Sequence, residues 1–301
     1  MSYHDPVLRT ETVAGLAVKP DGIYVDITFG GGGHSRHLLS QLGPKGRLIA
    51  FDQDQDALSN RIEDERFLLI HQNFRHLKRF LKFHGITQVD GIMGDFGVSS
   101  HQFDEGGRGF STRFDGLLDM RMNQEQPLTA AQIVNEYPVE QLGQLFRDYG
   151  ELRNGAKLSR VIETARMNKE IRTTEELKSV VRPFVPRKRE HKIMAQIFQA
   201  IRLEVNQELS VLKEFLLQTQ EVIKPHGRLS LISYHSLEDR LVKRFMRDGL
   251  FEGMPEKDVF GRAFVPFKPI GKHIVPSSQE IEKNNRSRSA KLRVAERTEE
   301  L

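Results

Sequence analysis

Residues Asp26–Ser35 read DITFGGGGHS, with glycine at four consecutive positions between an apolar run and the polar start of a helix. Glycine loses more conformational entropy on folding than any other residue. Four together in an ordered segment therefore mark a place where the backbone must turn sharply or be approached closely. The run before them, Gly22–Ile27, is β-branched and mostly apolar, the pattern of a buried strand. The stretch after them, HSRHLLSQLG, carries Leu38, Leu39 and Leu42 at helical spacing and stops at Gly43-Pro44. Strand, glycine turn and helix in this order open a parallel α/β sheet.

The alternation continues. Arg47–Phe51 is a second strand ending at Asp52, Gln55–Glu63 a further helix, Arg66–Ile70 a third strand, and Val89–Gly94 a fourth ending at Asp95. The spacing predicts a doubly wound, Rossmann-like α/β sheet with right-handed crossovers. Then the rhythm breaks, because the next strand pattern is Gly227–Tyr234. A crossover needs only about a dozen residues, so the gap must hold structure of its own. Phe103–Met122 is polar and glycine-rich, and AAQIVNEY, VEQLGQLFRDYG, AKLSRVIETARM and TEELKSVV read as short amphipathic helices. Arg187–Lys224 reads as one long returning helix, with Ile193, Ile197, Ala200, Ile201, Val205 and Leu209 on a core stripe. The expected domains are residues 1–102 with 225–301 for the sheet, and 103–224 for an inserted loop and helical domain. Only the terminal RTEEL has the composition of a disordered tail.

Composition removes several chemistries. The chain has no cysteine, which excludes disulfides, Cys-ligated zinc, iron–sulfur clusters and thiolate nucleophiles. No apolar run approaches the roughly 20 residues of a membrane span, and MSYHDPVLRT has no signal-peptide core, so a cytoplasmic protein without membrane partners is expected. The net charge of +4 matters through its placement. Basic residues gather in Arg182–Lys192 and Lys283–Arg297, either as solvated faces or as a track for phosphate.

A glycine loop at the carboxyl end of the first strand is where a doubly wound sheet binds its ligand. Asp52, at the end of the second strand, stands where an acidic residue accepts both ribose hydroxyls. The loop does not keep the G-x-G-x-x-G spacing of dinucleotide sites: counted from Gly30 the last position is Ser35, and from Gly31 it is Arg36. S-adenosylmethionine fits this pattern better than a dinucleotide, though the residues alone leave a nicotinamide enzyme open. Asp95 then lies between cofactor and acceptor, or caps a helix. His235 and Ser236 are candidate site groups, or Ser236 simply caps the helix LEDRLVKRF. His34 and His37 have no carboxylate at ligand spacing, and no metal is expected.

Six blocks extend the pattern over nearly the whole chain: HDPVLRTE (4–11), DITFGGGGHS (26–35), FDQDQDA (51–57), DFGVSSHQFDEGGRGFSTRFDGLLDMRM (95–122), RLSLISYHSLEDRLVKRF (228–245) and NRSRSAKLRVAER (285–297). With them the chain resembles the MraW, or RsmH, family of bacterial 16S ribosomal RNA cytosine-N4 methyltransferases. The resemblance implies methylation of one cytosine of the decoding region in the small ribosomal subunit. It also implies S-adenosylmethionine contacts at Gly32, Gly33, His34, Asp52, Phe74, Asp95 and Gln102. The sequence departs from the family pattern at Leu117, at EHKIMAQIFQA and at Asn285. Asp95 and His235 are the candidates for the catalytic proton acceptor. Arg108, Arg113, Arg187, Lys188, Arg189, Arg286 and Arg288 are the candidate RNA contacts. Phe103–Met122 is expected to be a mobile lid, with a rigid loop anchored by Phe110 and Phe114 as the alternative. The oligomeric state is open, and a homodimer is compatible with the sequence.

Overall fold

Neighbouring residues of the first strand are buried in different cores. Tyr24 packs with Leu16, Leu38, Leu48 and Met93, whereas Val25 packs with Phe51, Ile92, Phe215 and Leu229. A strand covered on both faces must be apolar throughout, which is why this segment reads as a continuous run.

The computed structural model describes residues 6–261 and 263–299. His4 and Asp5, which open the first block, lie outside the described residues, as do Glu300 and Leu301 of RTEEL. The elements in chain order are α1 (Arg9–Gly15), β1 (Ile23–Asp26), α2 (Gly33–Leu39), β2 (Arg47–Asp52), β3 (Phe67–His71), α3 (Leu77–Phe83) and β4 (Val89–Asp95). Then come α4 (Ser100–Asp104), α5 (Ala130–Glu136), α6 (Val139–Asp148), α7 (Gly155–Asn168), α8 (Thr174–Val181) and α9 (Glu190–Val205). The chain closes with α10 (Glu208–Val222), β5 (Ile223–Ser233), α11 (Ser236–Asp248), β6 (Phe267–Pro269), α12 (Ser278–Lys283) and β7 (Lys291–Arg297).

Two units result, one made of residues up to Gly97 and from Leu209 onward, the other of Val98–Glu208. In the first, a seven-stranded sheet runs β3-β2-β1-β4-β5-β7-β6. Strands β1 to β5 are mutually parallel, while β7 is antiparallel to β5 and β6 to β7. The strand order reverses between β1 and β4, so a crevice opens at their carboxyl ends, where Asp26 and Asp95 stand. In the second unit, α5 to α9 enclose a separate apolar core that includes Ile133, Phe146, Ile162, Leu177 and Ile201.

The structure corrects several expectations. The units divide at 97/98 and 208/209 rather than at 102/103 and 224/225, because Leu212, Phe215, Leu216 and Val222 pack into the sheet core. The single returning helix is broken at Asn206-Gln207, where Gln207 has a φ of 50°. Asn206 causes the break: its side chain donates to the carbonyl of Met120 and accepts from the N–H of Met122, both at 2.8 Å. Leu209 consequently leaves the stripe of α9 and lies in the first turn of α10. Gln55–Glu63 is no α-helix but a 3₁₀ turn over Gln55–Asn60, where the Asp54 side chain caps the N–H of Asp56. Arg297 and Thr298 are no disordered tail either. Arg297 donates to the carbonyl of Gln220 and the N–H of Thr298 to that of Pro266.

The segment expected to be a lid is built into the second unit. Phe110, Leu118, Met120 and Met122 are buried in its core, and the Leu118 N–H donates to the carbonyl of Arg172 at 2.9 Å. Thr174 Oγ1 donates to the carbonyl of Phe114 at 2.8 Å, although the Phe114 ring itself is 45% exposed. These contacts favour the structural-loop alternative, with Phe110 as the anchor and Phe114 outside it.

Candidate functional site

The glycines of the loop meet two different needs. A Cβ on Gly33 would lie 2.2 Å from Cγ of Pro6, so this glycine is required by the chain's own packing. A Cβ on Gly30, where φ is +51°, would meet nothing within 4 Å. The space against Gly30 is open, and it lies beside Asp52.

Asp52 ends β2, and both its oxygens are oriented by backbone amides. The Gly30 N–H donates to Oδ2 at 2.7 Å and the Asp54 N–H to Oδ1 at 2.9 Å. Each carboxylate oxygen has a second lone pair, so two acceptor positions remain for a vicinal diol. The loop is braced by Asn60, whose Nδ2 donates to the Gly30 carbonyl at 3.0 Å, and by Arg36, whose Nη1 donates to that of Gly31 at 2.6 Å.

Two more carboxyls stand at the crevice. Asp26, 2% exposed, accepts from Ser35 Oγ at 2.6 Å and from the Thr28 N–H at 3.1 Å. The Asp95 N–H donates to Thr28 Oγ1 at 2.7 Å, which ties the end of β4 to the turn after β1. The Tyr234 hydroxyl donates to the Asp95 carboxyl. Asp95 Oδ1 is buried with no hydrogen-bond partner. Burial pushes all three acids up, Asp26 and Asp52 to about 6 and Asp95 to about 7. Hydrogen bonds to each oppose the rise, while the charges of Asp26 and Glu238 raise Asp95 further. An acid near neutrality with one unpartnered oxygen is suited to accept a proton from a bound amine.

The other expected residues fall out unevenly. Gly32, in the left-handed region at φ 73°, caps α2. His34 is buried, its Nε2 is 3.0 Å from the carbonyl of Val7, and burial lowers it to about 4. Its neutral ring therefore anchors the segment before α1. Phe74, after β3, packs edge-on to Phe215 with centroids 5.4 Å apart and also meets Phe96. Gln102 belongs to the second unit, where it completes a capping box: its Oε1 accepts from the Ser99 N–H at 2.9 Å. His235, not Ser236, caps α11, and Glu238 completes that box. Asp26 was not singled out by sequence reasoning, and Tyr234 stood out only as one of the stretch Ser233–Ser236. An acid closing an apolar strand just before the glycines was the available signal for Asp26.

Among the candidate RNA contacts, Arg108 is a correction. It is 7% exposed, donates from Nη2 to the carbonyls of Arg121 and Met122, and lies over the Phe110 ring. Those contacts make it a brace inside the second unit. Arg113, Arg187, Lys188, Arg189 and Arg288 are exposed, and Arg286 is half-buried. Lys291 and Arg293 of the second basic stretch are paired with Asp239.

The raised acids have a consequence for stability. A carboxyl whose folded pKa lies above its unfolded value favours the folded state most when protonated, and that contribution is lost as pH rises through the folded value. For Asp95 the window runs from about 7 down to the ordinary 3.8. His34 acts oppositely, supporting the fold above 6.5 and withdrawing that support as pH falls toward about 4. Comparison with Asp95→Asn isolates the carboxyl. The variant should melt above the parent at pH 8, and the gap should close toward pH 5, as followed by thermal unfolding. A gap independent of pH would place the Asp95 pKa at its ordinary value.

Comparison with known proteins bears on the whole chain. Residues 1–298 match the MraW methylase family. A protein of Christiangramia forsetii named ribosomal RNA small subunit methyltransferase H is 64% identical over 295 residues, 98% of each chain. The protein of that name in Bacteroides thetaiotaomicron is 54% identical over 298 residues, 99% of this chain and 98% of its own. Among solved structures, an rRNA methylase from Streptococcus thermophilus aligns over 99% of both chains with a TM-score of 0.43 and 12% identity.

Proposed function

Because the chain belongs to the MraW methylase family, we propose that it methylates N4 of a cytosine in the decoding region of 16S rRNA, within the small ribosomal subunit in the cytoplasm. S-adenosylmethionine is the donor and supplies a sulfonium methyl group for in-line displacement. The observation that carries the acceptor chemistry is the unpartnered Oδ1 of Asp95 at the end of β4.

The exocyclic nitrogen of cytosine is a weak nucleophile because its lone pair is conjugated with the ring. Alignment of the reacting atoms at about 3–3.5 Å supplies most of what the reaction needs. Asp95 contributes the rest, accepting an N–H as the nitrogen rehybridises and taking the proton as the new bond forms. Tyr234 holds that carboxyl in place. On the donor side, Asp52 accepts the ribose hydroxyls, the loop at Gly32, Gly33 and His34 shapes the floor, and Phe74 offers an apolar edge. The absence of cysteine excludes methylation at ring carbon 5 through a thiolate adduct.

The reaction is tested with purified small subunits from a strain lacking the enzyme, followed by nucleoside analysis. Methyl label in N4-methylcytidine supports the reading, and label in another nucleoside overturns it. Substrate binding should also weaken steeply with salt. Arg187, Lys188 and Arg189 are exposed with no ion pair or hydrogen bond from their side chains among the described residues. Replacing all three with Gln should flatten the log–log salt dependence of subunit binding by about 2 units if each meets a phosphate. An unchanged slope would leave the stretch as solvated surface.

A further inference from the structure

A cleft of about 230 Å³ opens in the sheet unit between the carboxyl end of β5, the first turn of α11 and the residues leading into β7. Ser233, His235, Asp239, Arg288, Ser289 and Lys291 are among the residues lining it. Ser233 is 1% exposed, and its Oγ has no hydrogen-bond partner. His235 accepts the Glu238 N–H at Nδ1, so in the neutral ring the proton sits on Nε2. That nitrogen is also buried without a hydrogen bond, although Oε1 of Glu238 is 3.0 Å away in an unsuitable direction. Two buried donors left unmet are costly to a fold and call for a partner.

The charge of the cleft says which kind. Arg288 is exposed with no ion pair or hydrogen bond from its guanidinium among the described residues. Lys291 is 3.3 Å from Asp239, whose carboxylate is held more closely by Arg293 at 2.7 Å. The one acid among the lining residues is thus neutralised from outside, and the nearby Glu238 carboxylate already accepts from the N–H groups of Tyr234 and His235. An anion with several oxygens fits Arg288 and the two orphan donors.

We propose that the cleft binds a backbone phosphate of the substrate RNA, held by Arg288 and by the Ser233 and His235 donors. The assignment rests on the reading of the protein as an RNA methylase. Tyr234, between those two donors, reaches Asp95, so the phosphate belongs to a nucleotide close to the acceptor base. Such a contact carries no sequence information but sets which nucleotide meets the donor.

The test uses the full chain and two probes. Inorganic phosphate is titrated while the histidine ring signals are followed by NMR, with His235 assigned by its loss in His235→Gln. A saturable His235 shift that disappears in Arg288→Gln is expected. No shift, or one that survives Arg288→Gln, overturns the site. With small subunits, Arg288→Gln should reduce the salt slope of binding by about 0.7–0.9. A phosphate shift with an unchanged slope overturns the RNA assignment and leaves a site for free phosphate. Ser233→Ala should keep or raise the melting temperature while weakening subunit binding severalfold. A lowered melting temperature with full binding would make Ser233 merely structural and overturn its role. Failure of the methylation reading is separate, since it shows in the nucleoside formed and not in either probe.

Discussion

Asp95→Asn is expected to slow methyl transfer by about 10²–10⁴-fold, the range typical of losing a positioned proton acceptor. Asparagine keeps the shape and can still accept from Tyr234, so the fold and the bound orientation persist while the basic oxygen is gone. The parent's rate should rise with pH through about 7 as Asp95 loses its proton, and the variant's residual rate should lack that rise. Tyr234→Phe provides an internal check. Its hydroxyl stabilises the ionised carboxyl, so its removal should move the midpoint of the pH–rate profile upward. Single-turnover measurement on small subunits reads both effects. A variant at Asp95 with near-parental rate would mean that the acceptor lies elsewhere.

Asp52→Ala is expected to weaken S-adenosylmethionine binding by about 1.5–3 kcal/mol, or roughly 10- to 150-fold, because hydrogen bonds to a charged acceptor are the strong kind. The loss has two sources. Ribose hydroxyls lose their acceptor, and the Gly30 and Asp54 amides lose the carboxylate that orients the loop. Calorimetric titration measures the sum. Lowering pH below about 6 should mimic the substitution in the parent, since the protonated acid has one acceptor fewer. Affinity that survives both changes would move the donor away from β2.

The sheet and its acids were legible because strands buried on both faces leave continuous apolar runs, and Asp52 and Asp95 close two of them. The amphipathic helices α5 to α8 were legible for the same reason, each showing one apolar stripe. What the sequence hid depends on partners distant in the chain. Arg108 sits in a polar, glycine-rich run and reads as exposed, yet the carbonyls that hold it belong to the far end of the same segment. The apolar stripe of α9 runs on through Leu209, and only the bonds from Asn206 to Met120 and Met122 stop the helix. At α11 two overlapping signatures compete, Ser236 with Asp239 and His235 with Glu238. Histidine is the less usual cap, and the structure uses it.

The place of the insertion governs the order in which this protein can be completed during synthesis. Strands β4 and β5 pair side by side, yet the whole of Val98–Glu208 is made between them. Until Ile223–Ser233 leaves the ribosome, β4 presents an open edge to the cell, the kind of surface that recruits chaperones or other unfinished chains. Among the described residues the apolar core of the insertion is drawn from its own stretch, from Phe110 to Val205, so it can close before the sheet does. Its early closure replaces a long floppy connection by a folded spacer. The equilibrium gain is small, since each doubling of a loop costs only about 0.6 kcal/mol, but the time for which β4 waits uncovered shortens.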